Sequence, residues 1–117
     1  MRIPLLATTA LLAVFAAHPA YAHAFLDHAE PRVGSTTPSA PKEVVLFFSQ
    51  KVEPAFSSVE VSDANGARVD QGKPKVSATT MRIGLKPLPP GTYRVRWHIL
   101  SVDTHTTEGS FTFQVEK

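Results

Sequence analysis

In the segment TYRVRWHILS, Tyr93, Val95, Trp97 and Ile99 take every second position, and Arg94, Arg96 and His98 take the positions between them. Successive side chains of a strand point to opposite faces, so this alternation predicts an antiparallel strand with one buried and one wet face. GSFTFQVEK repeats the logic, with Phe111, Phe113 and Val115 inward and Thr112, Gln114 and Glu116 outward. TTMRIGLKP places Met81, Ile83 and Leu85 on one face before LPPG breaks the chain, and SSVEVSD alternates Val59 and Val61 before the turn DANGA. EVVLFFSQ, residues 43–50, is instead a near-continuous apolar run, which suits a strand at the centre of a sandwich or buried on both faces. No stretch carries a helical period, and STTPSAPKE, residues 35–43, reads as a surface loop. Short strands between Pro, Gly, Asp and Ser clusters, with no crossover helices, predict an all-β fold of about seven strands. The expected architecture is an antiparallel Greek-key β-barrel or sandwich, immunoglobulin-like or cupredoxin-like.

The start of the chain has a different pattern. Met1-Arg2 forms a short positive head, an apolar run follows from about Leu5 to Ala17, and His18-Pro19 leads to the small-x-small triplet Ala20-Tyr21-Ala22. This is the pattern of a secretory signal peptide, and it predicts a signal peptide over residues 1–22 and one domain over residues 23–117. The apolar run is too short to span a bilayer as a stable helix, and nothing later is long or greasy enough, so the mature form is expected to be soluble, exported and not membrane-inserted. Charge adds an exclusion. The formal net charge of +2 is spread without any Lys/Arg block, so no electrostatic footprint for nucleic acid is present. With no cysteine, thiolate metal sites and Cys nucleophiles are excluded.

Cleavage after Ala22 would make His23 the first residue. It then offers two nitrogens, its α-amine and imidazole Nδ1, which close a six-membered ring around a metal ion. The amine has a reference pKa of about 7.7 to 8.0, so a strongly binding cation displaces its proton at little cost near neutral pH. Among divalent first-row ions, copper(II) gains most from nitrogen ligands and prefers a tetragonal plane of N and O donors. SVDTHTTEG supplies the complement: Asp103 and His105 lie two apart, and in an extended segment such residues point to the same side. His23, Asp103 and His105 together give an amine nitrogen, two imidazole nitrogens and a carboxylate oxygen. Two plainer readings share these residues. Asp103 has the place of a turn aspartate capping backbone N–H groups beside a surface histidine, and the overlapping triplet Ala22-His23-Ala24 offers a cut that discards His23. His28 reads as a surface group or an outer partner of the site, His98 as an exposed cross-strand neighbour, and Tyr93 and Trp97 as core.

The stretches HAFLDHAEPRVGS, LFFSQKVEPAFSSVEV and LPPGTYRVRWHILSVDTHTTEGSFTFQV resemble the CopC family of periplasmic copper-binding, or copper resistance, proteins. The ordered block G-T-Y-x-V-x-W, S-x-D-T-H, G-S-F-T-F is the most specific part. The resemblance covers essentially all of residues 23–117 and implies a small Greek-key β-barrel holding one copper(II) ion per mature chain. Carried over by position, the ligands are His23, Asp103 and His105. It further implies a carrier or buffer, not an enzyme, that passes copper to an inner-membrane copper transport protein; a monomer is the default expectation. Some members add a methionine-rich copper(I) segment. Here only Met1 and Met81 exist, and Met1 lies in the expected signal peptide, so a copper(II)-only type is expected. Where the family often has an acidic residue after Phe-Ser, this chain has Gln50, with Glu53 close by. Two other functions compete: a small copper oxidase or oxygenase built on an N-terminal histidine brace, and a metal-free sandwich module.

Overall fold

The computed structural model describes residues 25–117. The strands are β1 (Leu26–Glu30), β2 (Thr36–Thr37), β3 (Glu43–Phe48), β4 (Ser58–Ser62), β5 (Asp70–Ser77), β6 (Thr80–Leu85), β7 (Gly91–Leu100) and β8 (Thr106–Val115), with a 3₁₀ turn at Pro54–Phe56. They form two four-stranded sheets, ordered β1-β3-β6-β5 and β2-β8-β7-β4. The chain changes sheet at every step from β1 to β5 and again between β6 and β7; only β5–β6 and β7–β8 are consecutive strands of one sheet. Hydrogen-bonded neighbours such as β3 and β6 are therefore far apart in sequence, in the Greek-key manner expected.

The inward faces are those the alternation predicts. Met81, Val95, Ile99 and Phe113 are fully buried, and Trp97 and Phe111 nearly so, in one cluster drawn from both sheets. Each such side chain contributes on the order of 1.5–3 kcal/mol of hydrophobic stabilisation. The apolar run of β3 is explained by its central place between β1 and β6: Val44, Leu46 and Phe48 face the core, Val45 is also buried, and Phe47 is half-covered by the stacked ring of His28 at 4.1 Å. At the start of β7 the Tyr93 hydroxyl donates to the Pro89 carbonyl at 2.5 Å, tying the LPPG turn to the strand.

Two strands depart from the sequence reading. The expected loop over residues 35–43 contains β2, which pairs in parallel with the end of β8, so the second sheet is mixed. β5 lies at the edge of the first sheet with a register shift between Gln71 and Lys75, Gly72 at a φ of 77° and Pro74 within it. Across the gap between the sheets, the Asp70 carboxylate of β5 accepts the Val61 N–H of β4 at 2.8 Å and two bonds from the Arg68 guanidinium at 2.8 and 2.9 Å. Val61 is wholly buried, and this side chain satisfies its amide on the outer edge of β4.

Candidate metal centre

β7 and β8 pair along their whole length, from Gly91 opposite Val115 to Leu100 opposite Thr106, and the loop joining them carries Asp103 and His105. The Thr104 N–H bonds the Ser101 carbonyl at 2.9 Å, and the Ser101 N–H bonds the His105 carbonyl at 2.9 Å. Thr104 has a φ of 70°, in the left-handed region. This is a hairpin turn followed by a bulge residue, a place usually given to glycine and uncommon for a β-branched side chain.

That geometry corrects the route by which the pair was expected to meet. Asp103 and His105 converge because the chain turns between them, whereas the expectation assumed an extended segment. His105 Nδ1 lies 3.4 Å from Asp103 Oδ1, with the two side chains half and one-third exposed. The His105 N–H also donates to Asp103 Oδ1 at 3.3 Å, so the turn-aspartate role is present as well. The Ser101 hydroxyl donates to the same oxygen. The Asp103 carboxyl is held below its ordinary value, first by the Ser101 hydroxyl and then, against a smaller opposing effect of burial, by the backbone N–H and imidazole of His105. An ionised carboxylate beside an imidazole is a hard-oxygen and borderline-nitrogen pair suited to copper(II) or zinc.

The loop is pinned to the connection that follows β3. Val102 N–H bonds the Lys51 carbonyl at 3.1 Å, Val52 bridges Ser101, and Glu53 N–H bonds the Leu100 carbonyl at 2.8 Å. The same connection holds the first described residue: Phe25 N–H donates to Ser49 Oγ at 3.0 Å and Ser49 N–H to the Phe25 carbonyl at 2.9 Å. His23 and the expected signal peptide, residues 1–22, lie outside the described residues. Among the described residues no three His, Cys, Asp or Glu side chains come close enough to hold a metal together, so neither Glu53 nor His28 joins Asp103 and His105 in such a group.

The remaining candidates fall where the sequence put them. His28 stacks on Phe47 and its Nδ1 meets Asp27 Oδ2 at 2.8 Å on the surface. His98 is exposed between Ser58 and Glu108 on neighbouring strands. Tyr93 and Trp97 are core. Met81 is fully buried, which withdraws its thioether from any ion at the surface. Ser101 and Asp70 were not singled out by the sequence reading; Ser101 lies within the S-x-D-T-H string, whereas the role of Asp70 depends on a strand from the other sheet.

Two facing sheets with a carboxylate and an imidazole side by side on one end loop define a class of small β-sandwich domains with nitrogen and oxygen donors exposed at one end. The chain belongs to the CopC family, whose CopC domain matches residues 26–116. It is 33% identical over 122 residues to copper resistance protein C of Xanthomonas campestris pv. juglandis, with 95% of each chain covered. It is 33% identical over 111 residues to the copper transport protein CutJ of Bacillus subtilis, covering 92% of this chain but 20% of that longer protein. The crystal structure of CopC from Methylosinus trichosporium OB3b superposes with a TM-score of 0.75 at 33% identity, covering 80% of this chain and 94% of that one. The function is therefore copper-related: members of this family are periplasmic copper-binding proteins of resistance and transport, not enzymes.

Proposed function

We propose that the chain, trimmed after Ala22, is a carrier or buffer for copper(II) that holds one ion through the amine and imidazole of His23, the carboxylate of Asp103 and the imidazole of His105. One observation carries this reading. Phe25, two residues after His23, is hydrogen-bonded to Ser49, and Lys51, two residues further on, is hydrogen-bonded to Val102 beside Asp103. Two residues reach at most about 7 Å, so a short span separates an anchored backbone from each half of the ligand set. The set contains no sulfur, in keeping with the oxidised ion, and a copper(II) ion held by one carboxylate keeps about one positive charge in the simple count of ligand charges. Likeness to part of CutJ, a copper transport protein, supports transfer of the ion to an inner-membrane transporter.

The test compares the mature protein with a form extended at its N-terminus, in which the nitrogen of residue 23 is an amide. Competition titration against a chromophoric chelator should give one tightly held copper(II) per mature chain and far weaker uptake by the extended form. His23→Ala, Asp103→Ala and His105→Ala should each weaken binding. Equal affinity with and without the extension refutes the ligand set, and the intact mass of the exported protein reports the first residue and the metal count together.

A further inference from the structure

Ser101 is the one polar residue that is buried among the described residues, at 1% exposure. A buried hydroxyl requires a hydrogen-bond partner, and this one has two acceptors in reach: Asp103 Oδ1, and the His105 carbonyl at 3.1 Å. It has one proton to give, and the carboxylate oxygen is the nearer acceptor and carries the charge. The backbone of Ser101 is committed at both ends, its N–H to His105 and its carbonyl to Thr104, so the hydroxyl is delivered from a fixed site. Two donors converge on the Asp103 carboxylate, the Ser101 hydroxyl and the His105 N–H, and the His105 imidazole lies beside it at 3.4 Å. Among the described residues these contacts are made at Oδ1.

We propose that Ser101 is a positioning residue for copper(II): its buried hydroxyl fixes Oδ1 of Asp103, so that the carboxylate turns Oδ2 toward the ion. This rests on the reading of Asp103 as a ligand. Outer partners of this kind orient the ligating group, and losing one typically costs 10–100-fold in metal affinity. A side chain held by one oxygen from within the fold is already in place when copper arrives, whereas a freely rotating aspartate on an exposed loop has to be ordered by the ion itself.

The experiment measures copper(II) affinity of the mature chain by chelator competition, with the electron paramagnetic resonance spectrum of the loaded protein as a second readout. Ser101→Ala should bind at least about 10-fold more weakly and show changed copper hyperfine parameters, because the oxygen donor is no longer held in one orientation. Ser101→Thr, which keeps the hydroxyl, should return the wild-type spectrum. In an Asp103→Ala background, Ser101→Ala should change affinity by less than about 2-fold, since coupled residues lose additivity. The proposal is overturned if Ser101→Ala leaves affinity and spectrum unchanged while Asp103→Ala weakens binding. It is equally overturned if the serine substitution costs as much without Asp103 as with it, which marks a general effect on the loop. A wild-type chain that takes up no copper(II), or an Asp103→Ala chain that binds as well as wild type, would instead remove the ligand assignment on which the proposal stands.

Discussion

Gly109 faces Trp97 across the β7–β8 ladder. A methyl group placed on it would lie 2.7 Å from Cζ2 and 3.1 Å from Cε2 of the indole. Favourable carbon contacts are about 3.5–4.0 Å, so the ring or the strand has to yield. The ring has little room, because Trp97 is 7% exposed and Phe48 packs edge-on against it at 5.2 Å and 73°. Two terms of opposite sign then decide Gly109→Ala. Alanine is favoured over glycine within a strand by roughly 0.5–1 kcal/mol, and overpacking a filled site costs about 1–3 kcal/mol. The clash should win, leaving the variant about 1–2 kcal/mol less stable, or roughly 5–15 °C lower in Tm at 4–8 °C per kcal/mol for a domain of this size. Urea denaturation followed by far-ultraviolet circular dichroism measures the difference, provided the slopes match. The same substitution in a Trp97→Phe background, which lacks the second ring, should be neutral or stabilising. A Gly109→Ala protein as stable as wild type, or an equal loss in both backgrounds, refutes the contact as the cause.

Two further predictions concern buried polar groups. Burial pushes the Asp70 carboxyl up, but its bonds from Arg68 and then Val61 outweigh this and hold it below its ordinary 3.8. A carboxyl depressed in the folded state stabilises above its unfolded pKa and loses that contribution as pH falls through the folded one. Wild-type stability should therefore decline below about pH 4, Asp70→Asn should flatten that acid limb, and Asp70→Ala should cost about 1.5–3 kcal/mol at neutral pH; superimposable acid limbs in urea melts would refute the assignment. The Thr107 hydroxyl is buried with no hydrogen-bond partner among the described residues. Thr107→Val keeps the shape and removes the unsatisfied group, so it should raise stability by about 1 kcal/mol, and a lower urea midpoint would show that the hydroxyl is stabilising.

How much of this was legible in the sequence depends on what each element packs against. β6, β7 and β8 each bury one face and wet the other, and a two-residue period records that directly. β5 is an edge strand with little to bury: Gly72, Lys73 and Pro74 erase the period, and along it only Asp70, Pro74 and Val76 reach partial burial. β2 is a two-residue parallel pair and leaves no hydrophobic signature at all. At the candidate site, Asp103 and His105 were readable as donors, but the turn that unites them was not, since a threonine gives no sign of adopting the left-handed conformation seen at Thr104. The clip made by Asp70 joins residues nine apart that lie in different sheets, a pairing that no local pattern encodes. His23 was named from the cleavage motif, and its place relative to the loop lies outside the described residues.

The irregular border strand has a consequence for how the protein survives at high concentration. A straight, apolar border would invite a second molecule to zip onto it, but here lysines stand on either side of a residue that lacks an amide hydrogen, and a shift in register bends the rail. Such features are how β-rich proteins keep their margins from templating growth. Along that margin, then, filling a crowded envelope with many copies should not seed fibrous assembly.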